Sequence, residues 1–175
     1  MNIAKRCAVC GAFCALLIAI QYVFSAIKGV ELISVFFFAF CFSFGAIYGV
    51  TVAVVFSLLR CFIYGFFPSV VILYLVFYPL FAFVAGLVGK LLKDKSAVKK
   101  LIFATVTVVV LTLIFSVLDD IITPLVFTFT KDAWMAYIVQ SVPVCLIHCI
   151  CSLITTATLF LPLNKVFTKL YGKLR

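Results

Sequence analysis

Apolar residues run along this chain in long blocks, interrupted at a few places by glycine, proline and clustered charge. A helix needs about 20 residues to cross a hydrocarbon layer of about 30 Å. Read at that length, the blocks predict spans over residues 7–27, 31–43, 45–64, 69–92, 99–118 and 137–163. The second is short for an untilted crossing. Gly45 and Gly49 open the third at a spacing that lets helices approach closely, and the fourth holds Pro79 and, near its end, Ala82, Ala85, Gly86 and Gly89. Between the fifth and sixth blocks, Pro124 and the alternation through Thr128 and Thr130 predict an extended or re-entrant cover over residues 121–134. The expected architecture is a single all-α integral membrane domain over residues 1–175, with six transmembrane helices.

Composition narrows the function classes. With 67% hydrophobic and only 11% charged residues, against about 25% charged in soluble domains, six spans leave no room for a separate soluble catalytic or nucleotide-binding domain. A net charge of +9 on a soluble fold would point to nucleic acid, but here placement decides. Basic residues gather at Lys5 and Arg6, at Lys90, Lys93, Lys95, Lys99 and Lys100, and at Lys165, Lys169, Lys173 and Arg175. Glu31, Asp119, Asp120 and Asp132 fall in the alternate turns, with only Lys28 and Lys131 beside them. The positive-inside rule then puts both termini and the mid-chain break in the cytoplasm, with the bilayer and not nucleic acid as the partner. The first block follows a Lys-Arg pair, as a secretory signal does, but it exceeds the 7–15 residues of a signal's apolar region and lacks a small-x-small cleavage site, so it is read as a helix.

Candidate chemistry is sparse. Gly86-Leu87-Val88-Gly89-Lys90 fails the phosphate-loop spacing and lacks the following hydroxyl, so the chain is not expected to use ATP itself. The eight cysteines, including Cys7-x-x-Cys10, lie in or against spans, where cysteine acts as a small hydrophobe. Cys145, His148 and Cys149 lack a further nearby ligand, and no metal or cofactor is expected. Arg60 is the most informative residue, about 22 Å along the third span from Gly45, where it either snorkels to the headgroups or meets a ligand or counter-ion. Glu31 lies at similar depth. Tyr64, Tyr74, Tyr78, Asp119, Asp120, Trp134 and Gln140 fall at the same side of the layer, and with Glu31 and Arg60 they are the candidate substrate-binding set. An aromatic belt accounts for Trp134, Tyr137 and Tyr74 but not for Gln140 or Arg60. On the first span Ala8, Gly11, Ala12 and Ala15 form a smooth face suited to close approach by another helix, inside the chain or from a partner subunit.

The six-span layout, the Ala8-x-x-x-Ala12 face and the glycine-studded third span from Phe44-Gly45-Ala46-Ile47-Tyr48-Gly49 to Leu59-Arg60-Cys61-Phe62-Ile63-Tyr64-Gly65 resemble the substrate-binding S component of energy-coupling factor transporters. The resemblance implies capture of a vitamin or similar micronutrient from outside the cell membrane of a bacterium, in a cavity covered by the loops after spans one, three and five. It also implies assembly through the face of Ala8 and Ala12 with a membrane coupling subunit and two ATPase subunits, and toppling of the loaded subunit. Substrate contacts do not carry over by motif. The alternative class is a small oligomeric channel or secondary carrier with the alanine face as its own interface; a membrane enzyme would require an acid partner for His148, and no such motif is present.

Overall fold

A computed structural model describes residues 3–25 and 31–174. Among these residues the fold is entirely helical, in the order α1 (Ile3–Phe24), α2 (Ile33–Phe44), α3 (Ala46–Tyr64), α4 (Pro68–Leu91), α5 (Ala97–Val126) and α6 (Lys131–Leu174). Five of the six are long and apolar enough to cross a membrane, so the chain has the build of a multi-pass membrane protein. The helices alternate in direction. One end of the bundle gathers the end of α1, the start of α2, the end of α3 and the start of α4 around Arg60. The opposite end gathers the end of α2, the start of α3, the end of α4, the start of α5 and the last turns of α6 around Lys90, Lys93 and Lys100.

The second block, expected over residues 31–43 as a span, is instead a helix of 12 residues, about 18 Å long at 1.5 Å per residue. Nine of its residues are buried, on every side. A helix that is apolar all round has no solvent face to keep and belongs in the centre. It packs against α4 and α6, and its phenylalanines form the core. Phe37 meets Tyr78 and Phe81, while Phe38 and Phe42 meet Phe160 edge-on at 5.8 and 5.2 Å. Toward the lysine end Phe40 lies between Phe13, stacked at 4.0 Å, and Phe44, stacked at 4.6 Å.

Small residues make the tight corner between α2 and α3 possible. Gly45 turns the chain at φ 92°, a left-handed conformation that favours glycine. The corner then sits on α4, where a methyl group at Gly86 would overlap the backbone of Ala46, and one at Gly89 the backbone of Phe42. Gly49 in turn faces Cys41 and Ala82, the sulfur lying 2.6 Å from where a Cβ would stand. The small residues noted near the end of the fourth block are thus the seat of the α2–α3 corner.

The re-entrant cover expected over residues 121–134 is not formed. α5 continues through Val126, the chain turns in four residues, and α6 starts at Lys131. Pro124 is tolerated because it lies in the last turn of α5. It has no N–H to give the carbonyl of Asp120 four residues back, and that carbonyl instead accepts a bond from Trp134 Nε1 at 3.0 Å. Phe127 N donates to Thr123 O and Phe129 N to Pro124 O, closing the turn. α6 accommodates Pro143 and Pro162 and runs well past both ends of the expected 137–163 span. Likewise, α5 outruns 99–118 at both ends.

Candidate functional site

The Arg60 end holds a cavity of about 290 Å³, lined by residues of α1, α3, α4, α5 and α6 and by the start of α2. Its floor exists because α2 begins only at Ile33, leaving space above Leu32, Ile33 and Ser34 that the longer helices enclose. Aromatic rings make the walls. Tyr74 and Tyr78 lie 4.9 Å apart, and Phe77 meets Phe115 of α5 at 5.0 Å.

Arg60 enters this space one turn before the end of α3. Its guanidinium lies 4.1 Å from the centre of the Tyr74 ring and 5.3 Å from that of Tyr64, so its charge rests on aromatic faces. A bond from Ser57 Oγ to the carbonyl of Tyr74, 3.2 Å, ties α3 to α4 just beneath. Arg60 Nε is nevertheless buried without a hydrogen-bond partner, and so are Tyr64 Oη and Gln21 Oε1. These three atoms belong to two helices and line one cavity. A buried polar atom without a partner costs about 1–3 kcal/mol, and three around one space constitute an unfilled demand for hydrogen bonds.

Glu31 reaches the same cavity from the residue before Leu32, the residue flanking α2. Its Oε1 accepts from Ser34 Oγ at 2.6 Å and from Ser34 N at 3.4 Å, capping the first turn of α2. Its backbone is tied to α6 on both sides, with N donating to Cys151 Sγ and O accepting from Thr155 Oγ1, each at 3.2 Å. No ion pair joins Glu31 to Arg60, although both line the same chamber.

The nine candidate residues divide. Glu31, Arg60, Tyr64, Tyr74 and Tyr78 line the cavity just described. Asp119, Asp120 and Gln140 line a second hollow of about 250 Å³ between α5 and α6, and Trp134 bonds its rim. Phe115 and His148 border both spaces. In the second hollow the polar groups largely satisfy one another. Asp119 accepts from Thr123 Oγ1 and from Tyr137 Oη, both at 2.8 Å, and Asp120 Oδ2 accepts from Ser141 Oγ at 2.9 Å. This is a knot fastening the end of α5 to the start of α6, with Asp120 Oδ1 its one buried unpartnered atom.

The connections after α3 (65–67) and after α5 (127–130) contribute no lining residue to the Arg60 cavity, contrary to the expected cover by loops. The expected loop after the first span, with Lys28, lies outside the described residues. Sequence reasoning missed Gln21, Thr112 and His148 as lining residues. Gln21 carried a usable signal, a lone amide late in an apolar block at the depth of Arg60. Among the described residues, no three His, Cys, Asp or Glu side chains come together as a metal site would require.

On α1 the small residues face outward. Ala8, Gly11, Ala12 and Ala15 are exposed, while Cys10, Phe13, Cys14 and Leu17 make the packing face toward the bundle. A methyl group at Gly11 would meet nothing within 4 Å. The smooth face is therefore not used for packing inside the described chain. Comparison with family models, with curated proteins and with solved structures found no match to this chain.

Proposed function

We propose that this chain is the substrate-capture subunit of an ATP-driven importer of the energy-coupling factor type, binding a vitamin-sized micronutrient at its Arg60 end. The observation that carries the reading is the cavity in which Arg60 Nε, Tyr64 Oη and Gln21 Oε1 lie buried and unpartnered among aromatic walls. A concave apolar space with a few convergent polar groups is the usual form of a small-molecule site. Two donors and an acceptor ask for a compact planar guest with complementary acceptors and an N–H, and Glu31 adds a place for positive charge. Under the positive-inside rule the lysine end is cytoplasmic, which turns this cavity to the outside.

The second half of the proposal is assembly. The outward small-residue face of α1 suits a close helix–helix contact with a membrane coupling subunit, and ATP is hydrolysed in two further subunits. Purification of the tagged chain from its native membrane, with mass spectrometry of proteins and small molecules carried along, tests both halves. A membrane protein and ATPases should accompany the wild-type chain and be lost from Ala8→Trp and Ala12→Trp, which should retain the small molecule. Complete ATP-independent transport by the purified chain in liposomes would overturn the proposal in favour of a secondary carrier.

A further inference from the structure

A hollow of about 680 Å³ lies at the opposite end from Arg60 and has a different chemistry. Its charged lining residues are Lys90 in the last turn of α4, Lys93 in the turn that follows it and Lys100 at the start of α5. No Asp or Glu lines it, and no carboxylate among the described residues forms an ion pair with these lysines. Ser43 Oγ and Thr168 Oγ1 lie 3.1 and 3.4 Å from the same atom, Asn164 Oδ1, which leaves the Asn164 amide nitrogen free to donate. The polar part of the hollow is thus rich in positive charge and N–H donors.

The other wall is apolar and open. Ile47, Phe83 and Leu87 line the hollow while remaining 80%, 57% and 46% exposed. They belong to α3 and α4, two of the helices with the length and composition of membrane spans, so this flank opens toward acyl chains. A small soluble anion would match the lysines but leave the apolar flank bare. A molecule with a negative headgroup and a hydrocarbon tail matches both walls.

We propose that this groove is a binding site for an anionic phospholipid, its phosphate held among Lys90, Lys93 and Lys100 and an acyl chain laid along Ile47, Phe83 and Leu87. Each lysine close to an anionic lipid surface strengthens attraction several-fold, and three converging on one headgroup should select anionic over zwitterionic lipid by about tenfold or more. The site is independent of the importer reading, since it uses neither the Arg60 cavity nor the outward face of α1.

The test is native mass spectrometry of the full chain from micelles doped with equal amounts of phosphatidylglycerol and phosphatidylcholine. The wild-type chain should retain phosphatidylglycerol preferentially. Lys90→Gln, Lys93→Gln and Lys100→Gln combined should abolish the preference, whereas combined Lys165→Gln, Lys169→Gln and Lys173→Gln, an equal loss of charge on the last turns of α6, should keep it. Thermal midpoints in phosphatidylcholine nanodiscs establish that both triple variants fold. If the groove triple does not fold, Lys93→Gln and Lys100→Gln singly should each reduce the preference. Equal loss in both triples would mean bulk charge and not a site, and so overturn the proposal. Stabilisation by inorganic phosphate alone, matching that by phosphatidylglycerol, would overturn it in favour of a free-anion site, and displacement of the lipid by a co-purifying protein would assign the groove to that protein.

Discussion

Two polar regions sit side by side at one end of this bundle, separated by Phe115 and His148, and they are built on opposite principles. In the α5–α6 knot, Asp119, Thr123, Tyr137, Asp120 and Ser141 bond one another, with Asp120 Oδ1 the one buried atom left over. In the Arg60 cavity, Gln21, Arg60 and Tyr64 leave buried atoms unmet. Polarity and depth are similar in the two places, so neither identifies a site. What separates fastening from recognition is whether the polar groups have already found each other.

This contrast can be broken by mutation, and the largest effect should fall on Arg60. Under the proposed function, Arg60→Ala should weaken binding of any small molecule recovered with the purified chain about tenfold to a hundredfold, the value of a charged hydrogen bond of about 1.5–3 kcal/mol. The empty protein should lose no more than the ring contacts of Arg60 with Tyr74 and Tyr64, about 0.5–2 kcal/mol, because no protein acceptor is left behind. Isothermal titration and thermal unfolding on the same preparation read both quantities. A variant that binds normally but unfolds early would place Arg60 among the fastening residues.

The reverse pattern is expected across the hollow. Asp119→Ala strands the hydroxyls of Thr123 and Tyr137 and should cost about 1.5–3 kcal/mol of stability while leaving ligand affinity within twofold of wild type. A loss of affinity matching that of Arg60→Ala would show the two regions to be one site. Trp134→Phe is a milder version. It removes the donor to the Asp120 carbonyl that Pro124 leaves free, and about 1 kcal/mol should be lost. Faster amide exchange at the α5–α6 turn would locate that loss.

Glu31 sharpens the comparison because it belongs to both regimes, capping α2 through Ser34 while facing the Arg60 cavity. Glu31→Gln keeps an acceptor for Ser34 and removes the charge. Stability should hold within about 0.5 kcal/mol, and affinity should fall only if the guest carries positive charge. Comparing titrations of Glu31→Gln and wild type decides this, and unchanged affinity assigns Glu31 to the cap alone.

The long helices were readable because uninterrupted apolar length has few other solutions in a chain with so little charge. The fate of two segments was not. Residues 121–134 look non-helical one at a time, since Pro124 forfeits a helix bond and Thr128 and Thr130 alternate. The helix survives to Val126 because Trp134, ten residues beyond Pro124, supplies the missing donor, a long-range compensation invisible to local pattern. The block over 31–43 showed its shortness but not its burial, which arises from the glycines of α4 that seat its corner. For the candidate site, depth grouped Glu31, Arg60, Tyr64, Tyr74 and Tyr78, which line one cavity. It could not separate them from Asp119, Asp120 and Gln140, because hydrogen-bond satisfaction depends on which helix stands opposite.

The short central helix sets the chamber's dimensions. The other five helices form a sleeve, and α2 is a plug within it that stops below the rim. One further turn at its start would advance the plug by about 5.4 Å and fill much of the space beneath Arg60, while one turn fewer would deepen it by the same step. Capacity can therefore be retuned by an insertion or deletion at a single junction, with the sleeve and the lysine-bearing end untouched. The volume of a chamber arranged in this way changes in increments of one helical turn.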